Sequence, residues 1–301
     1  MKYTHVVSLV RETPWAILPA KLSVITDLLA FRAAGGRLTD EEITERIGAV
    51  EAPAQGMVGQ IAVLPLFGVL MQRADMMSEM SGATSVERFA TTFRAAVNDP
   101  QVRAIVLNID SPGGSVFGID ELAAVVAEAR ATKDIVAVAN SLAASAAYWV
   151  AASASEIVVT PGGEVGSIGV LAAHIDESRA NDAAGMTVSL VSAGKYKTEG
   201  NPFEPLSEEA RANLASRVND YYGMMTARIA AGRGVSADAV RSGFGEGRVV
   251  GAKQAVKLGM ADRVETLEAT IDRLAARKQR LRRTAAGAVE IERRRLALYG
   301  G

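Results

Sequence analysis

Two segments of the sequence carry residues that could do hydrolytic chemistry together. Residues 140–149 read NSLAASAAYW and place Ser145 among small side chains, where a peptide backbone could approach its hydroxyl. Residues 194–202 read GKYKTEGNP and supply the amines of Lys195 and Lys197. A serine attacks a carbonyl only when a neighbouring base accepts its proton, so the two segments suggest a serine nucleophile with a lysine base.

The composition favours lysine as that base. The chain has no cysteine and only two histidines, His5 and His174. A lysine acts as a general base only when neutral, so its usual pKa of about 10.4 must be lowered by burial or by nearby positive charge. The hydroxyl of Ser167, in GSIGV, could hold the amine in place. His174 remains a competing base at this stage.

Donors for the oxyanion of the tetrahedral intermediate are available in two places. Gly113 and Gly114, in the segment DSPGGS, have no side chains to block a substrate, so their N–H groups could face it. The N–H of Ala146 is unpaired if a helix begins there. The alternatives are structural: SPGG also suits a simple turn between a strand and a helix, and a serine among alanines also suits close helix packing.

The remaining pattern predicts the elements that would position these residues. Apolar runs alternate with segments of helical spacing, which indicates an α/β fold of repeated β-α units with parallel strands. Strands are predicted at residues 60–72, 102–110, 135–139, 156–160, 167–171 and 187–191. Helices are predicted at residues 85–97, 119–131, 144–153, 176–184, 207–231 and 252–258.

The two ends differ from this alternation. Residues 1–55 are predicted to form a helical N-terminal extension, with a helix over Leu22–Arg32 and a capping box between Thr39 and Glu42. Residues 56–265 form the main domain, after a linker at 51–59. Residues 266–301 form a basic helical tail, which is either a solvated helix or a contact surface for an acidic partner or for assembly.

Composition gives no support to several classes of partner and site. A formal net charge of -1 over 301 residues gives no reason to expect a specific nucleic acid partner. The apolar stretch at residues 15–31 is interrupted by Lys21 and Asp27, so no membrane span is expected, and no export signal is recognised. The absence of cysteine excludes disulfides and thiolate metal sites and fits a cytoplasmic location. The proposed chemistry requires neither a metal nor a cofactor.

Four motifs occur in the order of a known family. The segments SPGGS, LAAS and GSIGV, and a lysine five residues before the proline of GNP, resemble the signal peptide peptidase A family of serine-lysine peptidases. The spacings fit as well, with Ser167 lying 22 residues and Lys197 52 residues after Ser145. The resemblance implies catalysis by Ser145 and Lys197, with Ser167 orienting the amine, and an oxyanion hole formed by Gly113 or Gly114 together with Ala146. It selects Lys197 over Lys195.

Within this family the sequence is more similar to the phage and prophage head maturation proteases. The segments GKYKTEGNPFEPLS and PWAILPAKL carry that similarity. It implies a Clp protease/crotonase-like fold and cleavage of scaffold, portal or coat proteins. It also implies a homo-oligomeric ring in which Lys197 reaches Ser145 of a neighbouring protomer. One departure is that Ala146 and Ala147 stand where bacterial relatives often have glycines, which narrows the space beside Ser145.

Three other functions stay open from the sequence. One is a bacterial signal-peptide-peptidase-like protease without a membrane anchor. Another is a non-catalytic scaffold or assembly protein that keeps the fold without turnover. The third is a crotonase-like enzyme acting on coenzyme A thioesters, which would share the fold but would not need a serine and a lysine at this spacing.

Overall fold

A computed structural model describes residues 13–33, 39, 42, 53–73 and 83–276 of the chain. The strands are, in chain order, β1 (Trp15–Ile17), β2 (Gly56–Val58), β3 (Ile61–Phe67), β4 (Leu70–Met71), β5 (Thr84–Ser85), β6 (Ala104–Ser111), β7 (Gly113–Ser115), β8 (Asp134–Ala144), β9 (Glu156–Val159), β10 (Glu164–Gly166), β11 (Val249–Gly251) and β12 (Arg263–Val264). The helices are α1 (Pro19–Ala33), α2 (Val86–Asn98), α3 (Ile119–Ala129), α4 (Ala146–Ala151), α5 (Ser178–Ala183), α6 (Glu208–Arg233), α7 (Ala237–Gly243) and α8 (Ala252–Lys257). A further helix covers residues 267–276.

The central sheet is built on parallel strands. Its order is β11-β10-β8-β6-β3-β2, and β9 pairs with β8 and β12. β3, β6 and β8 are parallel neighbours, and their apolar side chains are almost all buried. The register of β3 with β6 is continuous, whereas that of β6 with β8 shifts between Ile109 and Ser111. Strands with such continuous apolar runs need cover on both faces, which the intervening helices supply.

The helix α2 shows how the sequence creates this cover. Ser85 accepts a hydrogen bond from the Arg88 N–H and so caps the first turn of the helix. Val86, Phe89 and Phe93 then recur at helical spacing and are buried against the sheet. The segment therefore folds as a helix with one apolar face and closes one side of the core.

A second, smaller sheet lies over the ends of the central strands. Its order is β1-β7-β4-β5, and the strand at its centre, β7, is the glycine pair of the SPGGS motif with the following serine. β1 pairs with β7 in the antiparallel direction, whereas β4 is parallel to β7. The short strands of this sheet position the backbone around Gly113 and Gly114.

The structure confirms the predicted α/β class with repeated β-α units, and it confirms the capping box. Thr39 N–H donates to Glu42 Oε2 at 2.8 Å and Glu42 N–H donates to Thr39 Oγ1 at 3.2 Å. The helix predicted at 144–153 begins later, at Ala146, because Ser145 has a non-helical backbone with φ 54°.

The division into residues 1–55, 56–265 and 266–301 stays a prediction. Residues 1–12, most of 34–52 and the basic tail beyond 276 lie outside the described residues.

Two predicted strands are wrong. Residues 167–171 contain only an isolated bridge between Leu171 and Trp15, and the strand itself is β10, just before them. Residues 187–191 have no strand partner in the part of the chain that the structure describes. An apolar run becomes a strand only where another strand is available to pair with its N–H and C=O groups. Two short strands were not predicted from the sequence. β2 lies in the predicted linker at 51–59, and β1 lies in the predicted helical N-terminal extension.

Candidate active site

Ser145 lies at the junction where β8 ends and α4 begins. It is fully buried, and its backbone has φ 54° and ψ −115°, a conformation that side-chain-bearing residues rarely adopt. Its N–H donates to Gly166 O at 2.7 Å, and its Oγ donates to Gly169 O at 3.3 Å. Such strain persists only where the surroundings fix it, and strained residues cluster at functional sites.

Gly113 and Gly114 lie directly beside this serine. Gly113 has φ 97°, and a Cβ atom on it would lie only 3.0 Å from Ser145 Cβ. A Cβ atom on Gly114 would lie 1.9 Å from Leu70 O, inside van der Waals contact. Both positions therefore require glycine for close packing, and at Gly113 this packing brings the backbone to Ser145.

The N–H groups of the two glycines face different partners. Gly113 N–H donates to Ser111 Oγ at 3.2 Å, and Ser111 Oγ in turn donates to Gly68 O at 2.6 Å. Gly114 lies opposite Ala16 in the β1–β7 pair. The Gly113 N–H is thus bonded within its own loop, to Ser111, whereas the Gly114 N–H points out of the loop.

Asp110 occupies the end of β6, immediately before this loop. Burial raises the pKa of this carboxyl, and a hydrogen bond from Ser141 and the positive charge of Lys21 oppose the rise without cancelling it. Ser141 belongs to β8, just before Ser145, and Asp110 belongs to the adjacent strand β6, just before the glycine pair. The hydrogen bond therefore joins the ends of these two strands.

Ser167 is brought next to Ser145 by the pairing of β8 with β10. These strands are parallel, with Ala144 opposite Gly166, so the residues that follow them lie side by side. Ser167 is 5% exposed, has φ 52°, and donates its N–H to Arg248 O at 2.8 Å. The two serines of the predicted site therefore follow the carboxyl ends of adjacent parallel strands, and both have a positive φ. Ala146 follows as the first residue of α4, where helix geometry leaves its N–H without an intrahelical partner.

Lys197 is exposed in the single chain, whereas Ser145 and Ser167 are buried. It belongs to an exposed turn in which its N–H donates to Gly194 O at 3.2 Å. Among the described residues, no hydrogen bond or ion pair of its side chain is found, and none joins its Nζ to Ser145 Oγ. Every residue from 182 to 197 is exposed, including Met186, Val188, Leu190, Val191 and Tyr196.

Lys195, the other lysine of the turn, is in a different state. Its Nζ lies 2.5 Å from Tyr196 Oη and 3.3 Å from Glu209 Oε1. These hydrogen bonds and the charge of Glu209 raise the pKa of Lys195. A lysine held in its protonated form is a poor general base, which agrees with the choice of Lys197.

His174, the competing base, is committed elsewhere. Its Nε2 lies 3.0 Å from the Asn201 carbonyl oxygen, to which it donates, and the ring is half-buried. Within the described residues no group of three or more His, Cys, Asp or Glu side chains could hold a metal ion. None of the helices described is both long enough and apolar enough to cross a membrane.

Sequence reasoning missed one element of this site, the strand β1. It lies against β7 and covers the glycine pair and Ser145. The segment PWAIL contains no polar residue, so its sequence has no periodicity that separates a strand from a helix.

Comparison with known proteins agrees with the predicted relationship. The chain is 31% identical over 297 residues to the capsid assembly protease C of Escherichia phage lambda, an alignment covering 92% of this chain and 67% of that protein. It is 33% identical over 243 residues to the head-tail preconnector protein GP5 of Enterobacteria phage P21, covering 81% of this chain and 48% of that protein. The chain therefore spans about half to two thirds of the length of these curated relatives.

Among solved structures, a mutant of ClpP1 from Listeria monocytogenes is similar, with a TM-score of 0.42 and 14% identity over 68% of this chain and 91% of that one. The model of peptidase family S49 matches residues 127–281, just over half of the sequence. With this match and the 31% identity over nearly the whole chain to a phage relative, the chain belongs to peptidase family S49.

Proposed function

We propose that the chain is a serine endopeptidase in which Ser145 is the nucleophile and Lys197 the general base. The observation that carries this proposal is the position of Ser145, strained at a strand-to-helix junction, with Gly113, Gly114 and Ser167 around it. Membership of peptidase family S49 supports the same reaction class.

The reaction follows from the residues at this junction. Ser145 Oγ attacks the carbonyl carbon of the scissile peptide while neutral Lys197 Nζ takes the hydroxyl proton. The proton then passes to the leaving amine as the C–N bond breaks. Water hydrolyses the resulting acyl-enzyme by the same steps, with Lys197 as base again. Ser167 orients the amine through its hydroxyl.

The N–H groups of Gly114 and Ala146 stabilise the oxyanion in this proposal. The N–H of Gly114 is directed away from its own loop, whereas that of Gly113 is bonded to Ser111. The N–H of Ala146 lies at a helix start with no intrahelical partner. Donors fixed in this way stabilise developing charge without reorganising, and removing one typically slows catalysis by about 10²–10³-fold.

Lys197 reaches Ser145 of a neighbouring protomer in this proposal. In the single chain the lysine is exposed and the serine is buried, yet a lysine base needs a dry environment to become neutral. The exposed segment 182–197 carries apolar side chains that a second copy could cover. A head-to-tail interface of this kind closes into a ring if its rotation permits.

The substrates we propose are phage scaffold, portal or coat proteins, processed in the host cytoplasm or inside the assembling capsid. The support is the similarity to the capsid assembly protease of phage lambda and the preconnector protein of phage P21.

Separate Ser145→Ala and Lys197→Ala variants test the dyad, with Lys195→Ala as the matched control. The assay is cleavage of a purified phage scaffold or portal protein, with labelling of Ser145 by a serine-reactive phosphonate as a second measurement. We expect both dyad variants to lose cleavage and the control to keep it, because Lys195 is bonded to Tyr196 and Glu209.

Retained cleavage in either dyad variant would contradict the proposed mechanism. A native chain that assembles but is never labelled at Ser145 would instead support a non-catalytic scaffold. Coenzyme A binding without labelling would favour the crotonase-like alternative.

A further inference from the structure

The strand β1 runs through the site as an extended segment paired on both sides. On one side, Trp15 exchanges two hydrogen bonds with Leu171, of 2.8 and 2.9 Å. On the other side, Val116 N–H donates to Pro14 O at 3.2 Å and Leu18 N–H donates to Pro112 O at 2.9 Å. The backbone of residues 14–18 thus fills a channel between β7 and the strand-like backbone at Leu171.

Ala16 occupies the position in this channel that faces the catalytic groups. It lies opposite Gly114 in the register of β1 with β7. Hydrogen-bonded pairs alternate in an antiparallel ladder, and the pairs Pro14/Val116 and Leu18/Pro112 are bonded, so Ala16 and Gly114 form the bonded pair between them. The Gly114 N–H proposed for the oxyanion hole is therefore directed at the Ala16 carbonyl.

The same carbonyl lies close to the nucleophile. A Cβ atom built on Gly113 would lie 2.2 Å from Ala16 O and 3.0 Å from Ser145 Cβ. Ala16 O and Ser145 Cβ are therefore no more than about 5 Å apart, the sum of the two distances. A peptide carbonyl next to a nucleophilic serine and opposite an oxyanion donor has the placement of a scissile bond.

The occupied channel also closes the site to other chains. Trp15, Ala16 and Ile17 are 1%, 0% and 2% exposed, and Ser145 beneath them is fully buried. Extended peptides commonly bind proteins by adding a strand to a sheet edge. The edge of β7 that such a peptide would need is already paired with β1.

We propose that β1 is a built-in, substrate-like occupant of the peptide-binding channel, and that a protein substrate enters only after β1 leaves. This inference rests on the proposed role of Ser145 as nucleophile. The channel takes an extended segment with a small residue opposite Gly114, as Ala16 is, because the Ala16 side chain is fully buried in the main core and a larger side chain would overpack that core.

The residues on either side of Ala16 hold the strand in place. Trp15 and Ile17 belong to a cluster with Leu22, Ile25, Val69 and Met71 that is separate from the main core. Ala16, between them, packs in the main core but contributes only a methyl group to it. Because the Trp15–Ile17 cluster is small and separate, β1 can leave the channel without opening the central sheet. A substitution that weakens the cluster should therefore release the strand selectively.

The test compares the rate of phosphonate labelling of Ser145 in the full-length native chain and in Ile17→Asp. A charge in the cluster disfavours the docked strand, and we expect labelling at least roughly tenfold faster. Leu274→Asp is the matched control, because Leu274 is buried to a similar degree in a different cluster. It should label at the native rate. If an aspartate variant fails to fold, the pair Ile17→Ala and Leu274→Ala replaces it.

A free peptide provides an independent measurement. The sequence Thr-Pro-Trp-Ala-Ile-Leu of residues 13–18 should slow labelling of Ile17→Asp, and a scrambled peptide of the same composition should not. Folded Ile17→Asp that labels at the native rate would overturn the inference while leaving Ser145 as nucleophile. Cleavage of the chain after Ala16, seen by mass spectrometry, would also overturn it, because β1 would then be a substrate. Absence of labelling in every variant would overturn the proposed nucleophile and this inference with it.

Discussion

At the scale of single residues, Ser145 combines a strained backbone with a buried hydroxyl. Its φ of 54° is a conformation that favours glycine, and its Oγ has only a long hydrogen bond of 3.3 Å to Gly169 O. A non-glycine residue in such a region costs about 1–3 kcal/mol. This strain lowers stability at the position where a nucleophile would face the substrate. Active sites commonly contain such destabilising residues because function requires them.

Substitution of Ser145 by glycine should therefore raise stability while removing activity. We expect Ser145→Gly to exceed Ser145→Ala in free energy of unfolding by about 1 kcal/mol, because only glycine relieves the positive φ. Urea unfolding of both variants measures the difference. Equal stability of the two would show that the backbone at this position is not strained.

The residues of the site could be predicted from the sequence to different degrees. Ser145, Ser167 and the glycine pair stand in short motifs, and the structure places them together because β8 and β10 are paired in register. Lys197 was predicted from its spacing in the family motif, but its exposure in the single chain, with Ser145 buried, could not be predicted. In the proposed mechanism a second chain supplies Lys197, and a sequence motif does not show whether one chain or two supply the residues of a site.

At the scale of elements, α6 passes close to the end of α4. A Cβ atom on Gly232 would lie 1.9 Å from the Ala152 carbonyl oxygen, whereas one on Gly223 of the same helix would meet nothing within 4 Å. The two glycines thus have different roles. Gly232 permits the close approach of α6 to the end of α4, the helix that follows Ser145, and Gly223 has no packing reason to be glycine.

Alanine substitutions at these two positions should change stability in opposite directions. Gly232→Ala should lower the free energy of unfolding by about 1–3 kcal/mol through overpacking. Gly223→Ala should raise it by about 0.5–1 kcal/mol, because alanine is the better helix former. Thermal or urea unfolding measures both. A neutral Gly232→Ala would mean that α6 is not packed against Ala152.

The elements themselves were predictable where the signal was long. The apolar run of β6 and the spacing in α2 and α6 predict these elements closely. The strand predicted at 135–139 extends to Ala144 in β8, and the single strand predicted at 60–72 is divided into β3 and β4, which belong to different sheets. β1 has only three residues, so its strand state depends on the partners that β7 and Leu171 provide. Residues 187–191 show the reverse, a strand-like run with no partner in the described chain. Pairing is a tertiary property that local pattern does not contain.

At the scale of the whole molecule, an ion pair joins α6 to the segment before β12. Arg233 donates from Nη1 and Nη2 to both carboxylate oxygens of Asp262, at 2.9 and 2.8 Å, and Asp262 also accepts the Ile157 N–H. Burial alone would raise the pKa of Asp262, but the hydrogen bonds from Arg233 and Ile157 outweigh it, and the pKa is lowered.

This pair predicts a pH dependence of stability. Because the folded pKa of Asp262 lies below its unfolded value, its contribution is fully present above the ordinary aspartate pKa of about 3.9 and is lost as pH falls through the lower folded value. Arg233→Gln should lower the free energy of unfolding at neutral pH by about 2 kcal/mol. The free energy of unfolding of this variant should also decrease less than that of the native chain as the pH falls into the acid range. Urea unfolding across pH measures this.

Arg241→Gln is the control, because the Arg241–Asp238 pair is much more exposed and should contribute little. If both arginine variants show the same acid profile as the native chain, the Arg233–Asp262 pair does not couple folding to pH.

Assembly should depend on the exposed segment 182–197. Leu190 is 47% exposed in the single chain, and Leu190→Glu should weaken the oligomer and lower peptidase activity in parallel, because a charge opposes burial at an interface. Val256→Glu, on α8, is the control and should change neither. Light scattering and cleavage of a scaffold protein measure the two effects. An oligomer unchanged by Leu190→Glu would place the interface elsewhere.

Subunit mixing is the most direct measurement of the central claim that Ser145 of one protomer acts with Lys197 of the next. Ser145→Ala and Lys197→Ala chains are each inactive in this account, and the two are unfolded together, refolded and assayed for cleavage. A site formed between protomers is complete wherever the intact serine meets the intact lysine, so about a quarter of native activity should return in randomly mixed rings. Mixed oligomers that form normally but remain inactive would contradict the shared site.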